Sequence, residues 1–270
     1  MFAGLIFAVI FFPANQVSAQ LQRNYDGTDQ LTVNNKTFRV DNFNLIDTTG
    51  FEGRIEHQAV FTFGVISSPD FMDFLNAFQD ALQKTGTVGV VLSRLSVNGD
   101  LAEERSYINA SVSWMSFSDL DASSKDRALF TVKITSGNMN VQYDLGHAKN
   151  ILGMSKSASA IRSNFRMNYG SLPAQRVSGV NHINITSQAE HSLLTLEING
   201  NDGRAWYDYL QSNRMKGKSE QAVVTMLGPD MRAELMKINL QDAEVVSYSE
   251  NGNDNKAVIG VRAKVSISSK

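Results

Sequence analysis

The chain has no cysteine at any of its 270 positions, which excludes disulfides, thiolate metal sites and cysteine nucleophiles. Charge is also sparse. Asp, Glu, Lys and Arg make up 19 % of the residues and the formal net charge is −2, so no basic surplus is available to hold a nucleic acid backbone. Histidine is scarce: His57, His147, His182 and His191 stand far apart, without the H-E-x-x-H or paired spacing that metal binding requires. Phosphate-binding G-x-x-x-x-G-K-[ST], dinucleotide-binding G-x-G-x-x-G and the G-x-S-x-G elbow are all missing. Asp119 and Asp121 bracket Leu120, and paired carboxylates can hydrolyse glycosides across a cleft. Beside Ser123 and Ser124 they more simply organise a turn, because Asp side chains bond to nearby backbone. The expectation is a chain that is not an enzyme, with no cofactor and no metal.

Long apolar runs are absent too, save one. Residues 2–12 are almost entirely apolar, followed by Pro13 and a polar stretch ending Val17-Ser18-Ala19. Val17 and Ala19 stand where a signal peptidase reads small residues, and about 11 residues cannot span a bilayer that needs about 20. Residues 1–19 are therefore expected to be a signal peptide, with residues 20–30 a short N-terminal arm. The mature chain is expected to be exported, to the periplasm, the cell surface or outside the cell, with no membrane segment after cleavage.

What the rest of the chain holds is a pattern that occurs twice. Ser68-Pro69-Asp70 starts a helix with a capping Ser, Pro at the first position and an acid at the positive end of the dipole. Phe71, Phe74, Leu75, Phe78 and Leu82 then fall on one helical face. About 135 residues later Asn201-Asp202 is expected to cap a second helix, with Trp206, Tyr209 and Leu210 in the roles of Phe71, Phe74 and Leu75. An apolar strand follows each helix, at residues 88–95 and 222–227. The turns Asn98-Gly99 and Gly228-Pro229-Asp230 come next, then return strands through Tyr107-Ile108-Asn109-Ala110 and Met236-Lys237-Ile238-Asn239. Each unit closes with an alternating strand, residues 129–134 and 258–267. Upstream of the helices, Phe38-Arg39-Val40 echoes Phe165-Arg166-Met167. The offsets drift between about 127 and 135 residues, as loops of unequal length would cause. Two tandem β-rich domains are expected, at residues 31–146 and 164–270, joined by a linker at 147–163 with a short helix near Met154. The segment Val88-Gly89-Val90-Val91-Leu92 reads as apolar on both faces, and so as buried on both.

Tyr107-Ile108-Asn109-Ala110, the loop Asp119-Leu120-Asp121-Ala122-Ser123-Ser124-Lys125 and the strand Phe130-Thr131-Val132-Lys133-Ile134 together resemble the C-terminal half of tail-tube proteins of contractile phages. The resemblance covers about residues 67–134 best. The second unit keeps Trp206-Tyr207-Asp208-Tyr209 and the Gly-Pro-Asp turn but not the Asp-Ala-Ser-Ser-Lys loop. It implies a mainly β fold, two tandem antiparallel β-sandwich or barrel domains, each flanked by one helix. It also implies self-association: a ring of three chains supplying six domains, or a hexamer, stacking into a tube or meeting other tube or baseplate-like proteins. On that resemblance Phe71, Phe74, Asn109, Ala110, Asp119, Leu120, Asp121, Ser123, Ser124, Lys125, Trp206 and Tyr209 are the candidate motif and assembly positions. Tandem domains and a leader peptide depart from the usual tube subunit. The other function consistent with the residues is a periplasmic or surface β-sandwich module that binds a glycan or a partner protein. Such a module would expose Trp114 or Trp206 in a groove.

Overall fold

A computed structural model describes residues 28–49, 53–84, 86–147, 159–187, 190–213, 219–251 and 255–269. The expected signal peptide and the short helix near Met154 lie outside the described residues. The chain is mainly β, with antiparallel strand pairs throughout and two helices.

Alternation builds the strands. In the fourth strand, β4 (Ile55–Gly64), Ala59, Phe61 and Phe63 point inward and are almost fully buried. The first half also contains β1 (Asp29–Val33), β2 (Lys36–Arg39), β3 (Asn42–Thr49), β5 (Val88–Leu95), β6 (Asp100–Phe117), β7 (Leu120–Asp121), β8 (Leu129–Ser136) and β9 (Asn138–His147). The second half supplies β10 (Phe165–Tyr169), β11 (Val177–Asn181), β12 (Asn184–Ile185), β13 (Ser192–Asn199), β14 (Glu220–Leu227), β15 (Glu234–Asn251) and β16 (Lys256–Ser268). One sheet runs β2-β1-β5-β6-β8-β4-β3, with β9 and β12 added along β6. The other runs β10-β14-β15-β16-β13-β11-β7. Leaving out β2 and β7, the two paths list their strands in the same chain order. Helix α1 (Pro69–Gln83) falls between β4 and β5, and α2 (Gly200–Asn213) between β13 and β14.

Each long strand bends at one residue with positive φ, Asn109 at 50° in β6 and Asp242 at 52° in β15. Asn and Asp tolerate this region better than other non-glycine residues, and each sits at an extra residue that shifts the pairing register. Up to Ala110, just past its bend, β6 pairs with β5, and up to Ile108 with β9; from Ser111 on it pairs with β8 and then β12. The bend folds the first sheet onto itself, so that Arg94 of β5 lies over the ring of Phe43 on β3, 5.0 Å from its centroid.

Ser68 caps α1 as expected, its Oγ accepting from Phe71 N at 3.0 Å. Helix α2 starts at Gly200, two residues earlier than a cap at Asn201 would place it. Asn199 Oδ1 accepts from Asn201 N at 3.4 Å, and Asp202 lies within the first turn. Two further expectations are corrected. Phe38 and Arg39 end β2, which pairs with β1, whereas Phe165 opens β10, which pairs with β14; β1 on β5, not β2, holds the place of β10. The run 88–92 is buried on one face only: Val88, Val90 and Leu92 point inward while Gly89 is exposed and Val91 half-buried. Only half the residues of that run need cover, because a strand sends alternate side chains to opposite faces.

Residues 159–161 form no free tether. Ile66 bridges Ser159 and Arg127 bridges Ile161, Ala160 N donates to Val65 O, and Ala128 N to Ala160 O. The buried apolar residues of both halves form one continuous core from Leu31 to Ile267.

Candidate assembly surfaces

The candidate positions separate into three places. Phe71 and Phe74 are core. Phe74 packs edge-on against Phe63 and Phe78, with centroids 5.2 and 5.1 Å apart, and tilted against Phe38 at 4.9 Å. Trp206 is likewise fully buried, 4.9 Å from the Tyr169 ring, and its Nε1 donates to Pro173 O at 3.1 Å. Tyr209, expected to match Phe74, is only half-buried, and burial beside Glu220 pushes its hydroxyl pKa up to about 12. A phenol can sit at such a boundary because its oxygen keeps a polar partner.

Asn109 and Ala110 mark the bend of β6. Asn109 is exposed and Ala110 fully buried, so the pair shapes the strand and leaves only Asn109 accessible.

The third group, 119–125, stitches the two halves of one chain. Leu120 is fully buried, and β7 pairs with β11, Leu120 opposite Val180 and Asp121 opposite Gly179. Asp119 Oδ1 accepts from His182 N at 2.9 Å, while its carbonyl accepts from Arg162 Nε at 2.5 Å. Asp121 Oδ1 accepts from both the N–H and the hydroxyl of Ser123, at 2.8 and 2.7 Å. Those two bonds favour the ionised form and hold the Asp121 carboxyl below the usual carboxylate range. The two carboxylates thus do structural work, Asp121 closing a turn and Asp119 clasping the other half. Ser124 Oγ accepts from Asp126 N at 3.1 Å, and Lys125 is exposed.

Three strand edges were not singled out by sequence. Among the described residues β3 pairs only with β4, β9 only with β6, and residues 244–251 of β15 only with β16. Each leaves a row of backbone N–H and C=O groups without a strand neighbour. Soluble proteins commonly blunt such edges with Lys, Pro or a covering loop. Neither β3 nor β9 contains Lys, Arg or Pro. On β9, Tyr143 is 59 % and Leu145 42 % exposed. Alternation in Phe43-Asn44-Leu45 marks a strand, but no local signal distinguishes an inner strand from an edge.

No protein-family profile matches the chain, and no curated protein matches it. Among solved structures it is similar to the anti-feeding prophage cap, a tube terminating cap, at a TM-score of 0.32 and 14 % identity, over 52 % of this chain and 97 % of that one. It is also similar to a chain of the anti-feeding prophage baseplate, at a TM-score of 0.32 and 18 % identity, over 50 % of this chain and 98 % of the other. Each match spans about half of this chain, and at this level of similarity neither carries a functional argument.

A groove of about 510 Å³ beside α1 contains Lys36 and Arg127, but Lys36 pairs with Asp70, and Arg127 Nη2 with Asp41 at 2.8 Å. Among the described residues no three His, Asp or Glu side chains converge as a metal site would require. No helix among them is long and apolar enough to cross a membrane.

The tryptophans differ sharply. Trp114 is 39 % exposed on β6, opposite Lys133, whereas Trp206 is sealed. Replacing Trp114 with Phe should leave a blue-shifted emission that acrylamide quenches poorly. Replacing Trp206 with Phe should leave a red-shifted, readily quenched one. Equal quenching of the two variants would contradict this placement.

Proposed function

We propose that the chain is an exported structural protein whose copies pair through open strand edges into a ring, tube or filament. The observation that carries the reading is β9, ten residues long, without Lys, Arg or Pro, and with Tyr143 and Leu145 turned outward. Long uncovered edges pair readily with another chain, and ring closure is one way to remove them. The shared strand order of the two sheets supports a second element of the proposal, that residues 31–146 and 164–270 are duplicated units. Three chains would then supply six units to one ring, with six chains the alternative, and tube or baseplate-like proteins would be the further partners. Export rests on the leader-like residues 1–19.

Electron microscopy and multi-angle light scattering of the mature chain test the reading. Rings or filaments, with mass rising in steps of several chains, are the expected result. A monomer that persists at high concentration and at every salt condition would remove it.

The exposure of Trp114 favours one other reading, a surface module whose aromatic side chain meets a glycan or partner protein. Trp114 has no ring partner among the described residues, and its strand neighbours Ser111 and Ser113 donate to Thr135 O and Lys133 O. A platform of several aromatics is therefore not built around it, which leaves assembly as the better-supported role.

A further inference from the structure

The way the halves of one chain grip each other points to how a second copy would be held, an inference that rests on the assembly reading above. Two contacts make the grip. First, Gln79 on α1 reaches the outer edge of β16, its Nε2 donating to Ile267 O at 3.2 Å and its Oε1 accepting from Ile267 N at 2.6 Å. The side-chain amide takes the place of a neighbouring strand, beyond the point where β13 stops opposite Ala263. Second, the far end of β6 pairs with β12, Ser116 opposite Asn184, and Phe117 N donates to Ile183 O at 2.9 Å. A helix and a long strand of the first half thus each pair with backbone of the second half, at Ile267 and along β12.

Register identifies the counterpart of each part. Ala110 and Ala243 are fully buried and each follows the positive-φ residue of its long strand. Counting along the ladders from there, Ile267 opposite Ile238 matches Val141 opposite Arg105. Val180 opposite Leu196 matches Phe43 opposite Phe61, and Ser116 on β6 matches Ser249 on β15. Four residues on from Val180 and from Phe43, Asn184 of β12 falls at the count of Asp47 on β3, so the stretches gripped in the second half correspond, in the first, to β9 and β3. The elements that do the gripping correspond to α2 and residues 244–251 of β15. Among the described residues none of these three strand stretches pairs with another strand on its outer side, and α2 exposes Asp208 and part of Tyr207, whose ring also packs on Tyr248 of its own chain.

We propose that a second copy of this chain repeats the grip: its β15 edge pairs antiparallel with β3, and its α2 lies along β9. Such a contact is head-to-tail, so it closes into a ring where the rotation permits and otherwise continues as a filament. The connection after β15 fits this role. Asn251 and Lys256 meet directly in the ladder, so the second half has no counterpart of the β7 loop, and the β3 edge is left to a strand. Asp47 is the only charged side chain on β3, and it already pairs with His57 at 2.8 Å.

Because the chain has no cysteine, disulfide trapping reads this contact cleanly. Asp47→Cys protein is mixed with Ser249→Cys protein carrying a size tag, oxidised and run on a non-reducing gel. The expected result is a mixed cross-linked pair as the main product, absent when Ser249→Cys is replaced by Val97→Cys in the exposed β5–β6 turn. Rings or filaments in the microscope with no Asp47→Cys to Ser249→Cys product, or with an equal Val97→Cys product, would overturn this contact and leave assembly standing. A chain that stays monomeric by light scattering would overturn both.

Discussion

Phe74→Ala is expected to destabilise the chain by about 3–5 kcal/mol, the usual cost of truncating a fully buried aromatic. Phe74 is 0 % exposed and touches the rings of Phe38, Phe63, Phe71 and Phe78, which come from β2, β4 and α1. Removing its ring takes one partner from four aromatic contacts and leaves a cavity that neighbours held by two strands and a helix cannot collapse into. The melting temperature should fall by roughly 2–4 °C for each kcal/mol in a chain of this size. Phe74→Leu should recover more than half of the loss, since most of the volume returns. A Phe74→Ala protein that melts within a degree or two of the parent would show that α1 is not seated on this cluster.

A loss of similar size is expected from Arg94→Met, for an electrostatic reason. The Arg94 side chain is 7 % exposed, with Nε 3.3 Å from Asp29 Oδ1 and Nη1 3.2 Å from Glu103 Oε2. Glu103, 6 % exposed, also accepts from Arg105 Nε at 2.5 Å. Removing Arg94 takes the ion-pair partner from the partly buried Asp29 and leaves Glu103 with Arg105 alone, and breaking a buried ion group in this way costs about 3–5 kcal/mol. The sign of the pH dependence follows from Asp29. Burial raises its pKa above 3.8, with attraction to Arg94 acting in the opposite direction. A carboxyl raised in the folded state favours folding below its unfolded value, and that contribution is lost as pH rises through the folded value. Without Arg94 the raising is larger, so the deficit of Arg94→Met should be greatest near pH 7 and shrink near pH 4. Urea denaturation of both proteins at the two pH values measures this, and a deficit independent of pH would refute the electrostatic account.

The residues differ in how plainly they announced these roles. Ser68, Phe71, Phe74 and Phe78 were legible because a cap and a helical stripe lie within one stretch of chain. The hairpins at Asn98-Gly99 and Gly228-Pro229-Asp230 were legible for the same reason. Arg94 gave no sign, since an Arg within a strand reads as a surface residue until Asp29 and Glu103 are brought around it. The loop 119–125 does close a turn at Asp121, but its other half, the bond of Asp119 to His182 and the pairing of Leu120 with β11, depends on residues some sixty positions away. Trp206 and Phe71 do share a buried role, whereas Tyr209 stays at the boundary where Phe74 is sealed.

What the sequence determined by itself is the local grammar: β-rich alternation, two capped or turn-started helices and an order of elements that recurs. Periodicity and capping act over a few residues, so they are written where they act. Which strands end up at the border of a sheet was decided only in three dimensions. An edge is defined by the neighbour it lacks, and β3 and β9 acquire that property from where β4, β6 and β8 place them, not from their own side chains.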